Sequence, residues 1–485
     1  MAEPSLKNKA VNGVSWSAAD AILGQGVTFL VGIVLARLLS PAEYGLIGII
    51  SIFIVVLNGV VDSGFSNALI RKLDTTNEDY NTMFYTNLVF SIVLYVGLYF
   101  AAPLIANFFD RTELVALTRV MGLTLIINAL AITQITILTK KVDFKTKTKA
   151  SLISAISSGV VGIVLAYLGF GVWALVAQQL TKLLLYAICL WLLNKWVPSF
   201  CFSSDSFKYM WRFGWKLLLS GLLNNIWSQL YQVVVGKFYS PSNLGQYSRS
   251  KEYANLLSTN FTVIIQRVSF PVLSELQDEK ERMVNGYRRI IKMTMFVTAV
   301  SMIFMGAVAE PLIYCLIGPQ WHEAATYLPL ICIASSLYPL QAINLNMLQV
   351  QGRSDIFLGL EIIKKLLAVG PLCLGIFVSI KAMLIGAIAL GIISFFLNSY
   401  YTGKKLHYSL LKQLSDILPS YFLALLVALP VYFLKFLPIS YFAILLIQII
   451  VGLGVGLVVC ELSNMSEYKD LKQIIVEKIK IFRNH

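Results

Sequence analysis

Residues 34–45 read VLARLLSPAEYG, and residues 234–245 read VVGKFYSPSNLG. In each stretch a Ser-Pro pair separates two long apolar segments, and a glycine follows four residues after the proline. Proline suits the first turn of a helix, where its missing N–H would have no partner, and glycine permits a tight turn. Arg37 occupies the position that Lys237 occupies in the second copy. Equal offsets inside two matching pairs of apolar segments indicate an internal duplication.

The composition identifies the class of protein. Of the 485 residues, 57% are apolar and only 13% are charged, whereas a soluble globular domain carries about 25% charged residues. Long uncharged segments recur from end to end, and a transmembrane β-barrel would instead show short alternating segments. We therefore expect an all-α polytopic membrane protein.

A membrane-crossing helix needs about 20 apolar residues, and about fourteen segments of the chain meet this requirement. These predicted spans are 13–38, 43–66, 81–106, 115–138, 149–169, 171–194, 213–238, 244–268, 287–309, 323–348, 355–379, 381–402, 413–434 and 438–461.

The distribution of Lys and Arg predicts the orientation of the spans. With the N-terminus inside, 25 of the 39 Lys and Arg residues lie in inner segments and six lie outside. Positive residues mark the cytoplasmic side, so we expect both termini in the cytoplasm and an even number of spans. The net charge of +14 is then explained by topology, and we expect no nucleic-acid partner.

Six predicted spans precede the second copy, and an even number returns the chain to the same side. The two copies are therefore predicted to be parallel, pseudo-symmetric repeats around a central cavity. We expect an N-terminal six-helix lobe at 1–195, a cytoplasmic linker at 196–212, a C-terminal six-helix lobe at 213–402 and two additional transmembrane helices at 403–463. The tail at 464–485 has the pattern of an amphipathic helix, which fits either anionic lipid or an ordinary solvated end helix.

Polar side chains concentrate in spans 1, 2, 7 and 8, which are the four spans of the duplicated pair. They are Trp16, Asp20, Gln25 and Thr28; Asn58 and Asp62; Lys216, Asn225, Gln229 and Gln232; and Arg249, Lys251, Glu252, Asn255, Asn260, Gln266 and Arg267. Charges in the bilayer core are costly and default to functional candidates. These side chains face either a hydrated cavity lined by the four spans or partner helices, where polar pairs contribute about 1 kcal/mol each.

Nine residues are the candidates for binding a substrate in that cavity. They are Trp16, Asp20, Asp62, Lys216, Asn225, Gln229, Arg249, Lys251 and Lys364. Among them, Asp62 and Lys216 lie near the inner surface, where long side chains can reach water.

Local spacing predicts which of the charges neutralise each other. Arg249 and Glu252 are spaced i, i+3, so that they can pair. In span 11 we expect Glu361 to pair with Lys365, which leaves Lys364 unpaired. Surplus Lys and Arg suit a phosphate, and amides with aromatic faces suit sugars, so the cavity is predicted to take a phosphate-bearing glycolipid.

The sequence contains little that suggests a catalytic or metal centre. The three His residues are isolated, the six Cys residues lack a CxxC spacing, and a phosphate-binding glycine-rich loop is missing. We expect no catalytic residues, no metal, no disulfide and no cofactor, and hence no enzyme.

Four stretches of the chain resemble Wzx-type polysaccharide flippases of the multidrug/oligosaccharidyl-lipid/polysaccharide exporter superfamily. These stretches are residues 6–13 with Trp16, the string at 35–45, the turn 62–66 with residues 68–71, and residues 270–274.

The resemblance implies translocation of undecaprenyl-diphosphate-linked oligosaccharides to the periplasmic face by alternating access, for O-antigen, capsule or exopolysaccharide synthesis. It also implies a location in the bacterial inner membrane. Under this flippase hypothesis we expect a polysaccharide polymerase and a chain-length regulator as partners, and a proton or sodium gradient as the driving force, with Asp20 or Asp62 as the coupling acid. Two alternatives remain. One is a cation-coupled drug or metabolite antiporter of the same superfamily, which would have an acidic cavity, and the other is a membrane glycosyltransferase or polymerase.

Overall fold

The computed structural model describes residues 16, 23–62, 64–276, 278–406 and 408–483, and this part of the chain consists of helices and short turns without a strand. The helices are α1 (Gln25–Leu38), α2 (Pro41–Asp62), α3 (Phe65–Arg71), α4 (Asn77–Phe109), α5 (Leu114–Met121), α6 (Leu123–Lys140), α7 (Phe144–Tyr167), α8 (Val172–Asn194), α9 (Ser204–Phe238), α10 (Pro241–Glu275), α11 (Lys280–Ala307), α12 (Ala309–Leu316), α13 (His322–Ser336), α14 (Tyr338–Val350), α15 (Ser354–Leu367), α16 (Val369–Phe377), α17 (Ile380–Leu406), α18 (Leu410–Phe433), α19 (Tyr441–Ser463) and α20 (Ser466–Arg483). The predicted all-α class is confirmed.

Eleven helical stretches of the described chain are long and apolar enough to cross a membrane. They coincide with eleven of the fourteen predicted spans. The other three predicted spans coincide with α1, which is preceded by residues outside the described set, with the more polar α9, and with α15 and α16, which break at Ala368. The chain is thus a multi-pass membrane protein, and the number fourteen stays a prediction.

Both copies of the Ser-Pro turn begin a helix in the same way. The Ser40 hydroxyl donates to the Glu43 carboxylate at 2.8 Å and accepts from the Glu43 backbone N–H at 3.4 Å. In the second copy the Ser240 hydroxyl accepts from the backbone N–H of Asn243 at 3.2 Å. Each serine satisfies an N–H that the first helical turn leaves without a partner. The local chemistry of the two turns therefore agrees with a duplication.

The two Ser-Pro turns also lie against each other, and the contact is reciprocal. A Cβ atom added at Gly45 would lie 1.8 Å from the carbonyl oxygen of Pro241, and one added at Gly245 would lie 1.9 Å from the carbonyl oxygen of Pro41. No side chain fits in either space. Small residues let helix backbones approach this closely in membrane proteins, and here each copy supplies one glycine.

By its internal contacts the chain forms two compact units, Met1–Gly245 and Gln246–His485. Helix α9, which is the seventh predicted span, packs on α2, α3 and α4 within the first unit. This boundary describes contacts, whereas the predicted lobes describe repeats of the sequence. The division of the lobes at 196–212 therefore stays a prediction.

Within the first unit, α4 and α9 run in the same direction. At their beginnings, Asn81 donates to the Ser199 hydroxyl at 2.6 Å and accepts from the Ser199 N–H at 3.1 Å. At their other ends, the Lys237 ammonium lies 2.8 Å from the Asp110 carboxylate and holds the pKa of Asp110 below its usual value. The predicted topology requires this direction, because spans 3 and 7 are both odd-numbered.

In the second unit, Asp416 joins three parts of the chain at one end of the helices. The Arg288 guanidinium donates to both carboxylate oxygens at 2.8 and 2.9 Å, and the Tyr408 hydroxyl donates at 2.6 Å. The Lys292 ammonium lies 3.3 Å away, and only 6% of the Asp416 side chain is exposed. Burial and the neighbouring carboxylate raise the pKa of Tyr408, so its hydroxyl stays a donor. The carboxylate thereby ties α11 to the start of α18.

The C-terminal helix α20 packs against the second unit. Arg289 of α11 pairs with Asp470 at 2.9 Å. Tyr468 and Leu471 pack on a buried apolar cluster. Its members are Phe296, Leu423, Val427 and Cys460. At least these two positions of the helix face protein, and the predicted contact of the tail with anionic lipid stays a prediction.

We expect Gly45→Ala and Gly245→Ala each to destabilise the protein by about 1–3 kcal/mol, because the added methyl group forces two backbones apart. Gly97→Ala in α4 is the matched control, since a Cβ there meets nothing within 4 Å and alanine favours a helix by about 1 kcal/mol. Thermal unfolding in detergent measures all three variants. Equal melting temperatures for Gly45→Ala and Gly97→Ala would contradict the close contact.

We expect Asp416→Asn to lower the stability by about 1.5–3 kcal/mol, because it removes the charge that accepts three hydrogen bonds from Arg288 and Tyr408. The control is Asp205→Asn, whose side chain is 96% exposed and lies 3.7 Å from Lys208; a surface pair of this kind contributes less than about 1 kcal/mol. Thermal unfolding of both variants decides the matter, and an Asp416→Asn variant as stable as the control contradicts the structural role.

Candidate functional site

Two of the predicted candidates lie on one helix pair in the first unit. A Cβ added at Gly59 of α2 would lie 2.6 Å from the Asn225 amide nitrogen of α9, so this amide rests against the α2 backbone. One turn further, a Cβ added at Gly64 would lie 3.2 Å from the Gly214 carbonyl oxygen. Asp62 stands between these two crossing points in sequence. The structure thus brings α2 and α9 together along the stretch that carries both candidates.

Asp62 is half-buried at the end of α2 and belongs to a short chain of hydroxyl groups. The Ser66 hydroxyl donates to its carboxylate at 2.5 Å. The Thr136 hydroxyl of α6 donates to Ser66 at 2.9 Å. Through Ser66 the carboxylate is thus connected to α6.

The remaining candidates of the first unit are more open to solvent. Lys216 is exposed, with its ammonium 6.0 Å from the centre of the Trp215 ring, and Gln229 is half-buried. Trp16 is exposed, and the Lys145 ammonium lies 5.6 Å from its ring. Asp20 lies outside the described residues.

Helix α10 carries two candidates in the second unit. The guanidinium of buried Arg249 lies 2.6 Å from the Glu252 carboxylate, and the predicted i, i+3 pair is confirmed. Lys251 is half-buried two positions further along, where it lies on a different face of the helix.

Lys364 differs from the prediction. Its ammonium pairs with Glu361, and only 12% of its side chain is exposed. The predicted pairing of Glu361 with Lys365 is therefore wrong. The spacings i, i+3 and i, i+4 both bring two charges together on a helix, and the burial of Lys364 favours its pairing with Glu361 at i, i+3. Helix α15, which carries Lys364, packs against α14 and α17.

Several polar side chains of the predicted stripe bind partner helices. The Asn128 amide of α6 donates to the Asn58 side-chain oxygen at 2.8 Å. The Lys182 ammonium of α8 donates to the Thr28 hydroxyl at 3.0 Å. Asn58 and Thr28 therefore contact partner helices, which is the second of the two arrangements that the sequence allowed, since each has a polar partner within the first unit.

The structure also shows a cationic cavity of about 570 Å³ at one end of the first unit. Its walls include Arg71, Lys72, Asp74, Tyr209, Arg212 and Phe213. The sequence predicted these cations only as determinants of topology. The signal that could have found the cavity is the spacing of Tyr209, Arg212 and Phe213, which places all three side chains on one face of α9.

Comparison with known proteins gives a family match and several relatives, two of which are described here. The family profile described as "Polysaccharide biosynthesis protein" matches residues 34–326. The succinoglycan biosynthesis transport protein ExoT of Rhizobium meliloti (strain 1021) is 26% identical over 335 residues, which cover 69% of this chain and 68% of that protein. The teichuronic acid biosynthesis protein TuaB of Bacillus subtilis (strain 168) is 26% identical over 361 residues, which cover 73% of this chain and 74% of that protein.

Among solved structures, the chain is similar to the lipid II flippase MurJ in an inward closed conformation. The TM-score is 0.70 at 16% sequence identity, and the match covers 95% of this chain and 99% of that chain. At this identity the likeness shows a shared fold. The residues that match the family profile contain both copies of the Ser-Pro turn.

If Asn58 and Asn128 serve to join helices, a double-mutant cycle between Asn58→Ala and Asn128→Ala will show coupling. The expected coupling energy is about 0.6 kcal/mol and at most about 1.7 kcal/mol, the range typical of polar pairs between membrane helices. Thermal unfolding of the single and double variants provides the cycle. Asn58→Ala combined with Asn107→Ala, an exposed position of α4, is the uncoupled control, and equal coupling in both cycles contradicts this role.

Proposed function

The chain belongs to the family of polysaccharide biosynthesis proteins, and from this membership we propose that it translocates lipid-linked oligosaccharides. The substrate is an undecaprenyl-diphosphate-linked oligosaccharide, which moves from the cytoplasmic to the periplasmic face of a bacterial inner membrane. Translocation proceeds by alternating access and supplies O-antigen, capsule or exopolysaccharide synthesis, where a polymerase and a chain-length regulator act next. The protein itself carries the substrate and does not change its bonds.

The family match over residues 34–326 is the observation that carries this proposal. The name of the Rhizobium relative describes a transport protein for succinoglycan biosynthesis, and the fold is shared with a flippase for lipid II. A carrier of a lipid-linked sugar needs a membrane-embedded path with polar walls for the head group. In this proposal the candidate side chains that were predicted for substrate binding supply such walls.

In this proposal the candidates divide their work by chemistry. The cations Lys216, Arg249, Lys251 and Lys364 bind the diphosphate, to which Lys contributes a point charge and Arg a planar fork of donors. Trp16 and the amides of Asn225 and Gln229 bind the sugar. Arg249 and Lys364 each pair with a carboxylate on their own helix, and in this proposal each exchanges that carboxylate for the phosphate.

A proton or sodium gradient drives the cycle in this proposal, and Asp20 or Asp62 is the coupling acid. The position of Asp62 supports its part in this role. Its carboxylate ends a chain of hydroxyl groups that links α2 to α6. A change of its charge alters hydrogen bonds on both helices.

We predict that Arg249→Gln/Lys251→Met lowers transport by at least about tenfold, because two charge-assisted contacts to the diphosphate are lost. The variant is expressed in a strain that lacks the gene, and surface polysaccharide is measured together with the amount of inserted protein. Lys381→Met is the control, since this lysine is exposed at the start of α17. Normal polysaccharide in the double variant contradicts the assignment of these two cations.

A further inference from the structure

The cationic cavity of the first unit holds more positive charge than its own carboxylates neutralise. The Lys72 ammonium lies 2.7 Å from the Asp79 carboxylate, whose side chain is fully buried, so this cation already has a permanent partner. Among the described residues no ion pair engages Arg71 or Arg212. The cavity therefore presents two guanidinium groups to whatever enters it, with Asp74 as the one acid in its wall.

Aromatic rings lie next to two cations of the cavity, Arg71 and Lys72. The Arg71 guanidinium lies 5.2 Å from the centre of the Phe213 ring, and the Lys72 ammonium lies 5.4 Å from that of Tyr209. Stacking on a ring occupies the face of a guanidinium and leaves the N–H groups at its edge for a planar or tetrahedral anion. The geometry thus favours binding of a phosphate group.

Several hydrogen bonds hold the turn that directly follows Arg71, the last residue of α3. The Lys140 ammonium donates to the backbone carbonyl groups of Leu69, at 3.2 Å, and of Lys72. The Thr75 hydroxyl donates to the Lys72 carbonyl at 3.0 Å, and the start of α4 is closed by a capping box. A preformed site loses little conformational entropy on binding.

Apolar side chains project from the cavity wall and from the segment that precedes α9. Leu73, in the same turn, is 92% exposed, and Val197 and Phe200, in the segment before α9, are 72% and 101% exposed. Ser199 of that segment is hydrogen-bonded to the start of α4. Cations next to projecting apolar groups are typical of surfaces at the level of lipid head groups, where the cations meet phosphate and the apolar groups enter the acyl region.

We propose that this cavity binds the phosphate group of a membrane lipid, with Arg71 and Arg212 on the phosphate and Leu73 beside the first part of the acyl or prenyl chain. The wall of this site contains none of the nine candidate residues of the predicted substrate cavity. It rests on the membrane location of the chain and not on the proposed transport function. Phospholipids and polyprenyl phosphates share the required chemistry.

Native mass spectrometry of the purified full chain tests the proposal with four probes: dioleoylphosphatidylglycerol, undecaprenyl phosphate, dioleoylglycerol and inorganic phosphate. We expect the two phosphate-bearing lipids to bind and Arg71→Gln/Arg212→Gln to weaken that binding about tenfold or more. The tighter of the two lipids identifies the natural source. Dioleoylglycerol lacks the phosphate and inorganic phosphate lacks the chain, so both are expected to bind at least about tenfold more weakly.

Two further variants separate binding from folding. Arg71→Lys/Arg212→Lys keeps both charges and is expected to retain most of the affinity, whereas Arg212→Glu reverses one charge at an exposed position and is expected to lose it. Lys208→Gln removes a charge from the same helix outside the cavity wall, where the side chain is 75% exposed, and is expected to bind like the wild type. Equal lipid binding by the folded Arg212→Glu variant and the wild type overturns the proposal, as does equal binding of dioleoylglycerol. Because no transport is measured, this proposal and the proposed function can each fail alone.

Discussion

The reciprocal contact between two glycines and two proline carbonyls fixes where the duplicated turns of this chain meet. A helix start capped by serine and opened by proline has a rigid direction, and a glycine one turn later removes the side chain that would keep a second helix away. Each copy supplies both features, so the contact is symmetric in its chemistry although the two sequences differ at most other positions. The close approach involves backbone atoms on both sides, so a side chain larger than hydrogen at either glycine would force the two turns apart.

Burial in a membrane divides the polar side chains of this protein into two groups. Some have a permanent partner on another helix, as Asn58 has Asn128 and Thr28 has Lys182. Others lie at helix ends in charged networks, as Asp416 does with its three cationic or hydroxyl partners. The candidates for substrate binding are more varied, since Lys216 is exposed, and Arg249 and Lys364 each pair with a carboxylate on their own helix. In the proposed function, each of these two cations exchanges that carboxylate for a phosphate.

Much of the fold follows from the sequence, because each helix that crosses the hydrocarbon core of a membrane needs about 20 apolar residues. The Ser-Pro turns at equal offset revealed the duplication, and the alternation of basic segments placed the beginnings of α4 and α9 at one end, where Asn81 and Ser199 are hydrogen-bonded. The partner of Lys364 could not be read from the spacing, since Glu361 is within reach of two lysines and the choice depends on burial.

The cavity of Arg71 and Arg212 was missed for a different reason. Its walls come from segments more than a hundred residues apart, and the same cations serve the topology equally well. Pairing across α2 and α6 was likewise left open, because hydropathy does not tell a helix-facing amide from a water-facing one.

The central claim is that the chain moves a lipid-linked oligosaccharide and does not build it. The most direct measurement is the location of the undecaprenyl-linked sugar in a strain that lacks the gene, compared in inverted and right-side-out membrane vesicles. The account predicts that complete oligosaccharide units accumulate on the cytoplasmic face. Incomplete units would show that the protein takes part in their synthesis, and unchanged units together with a loss of small-cation efflux would show an antiporter. Either of these results contradicts the claim.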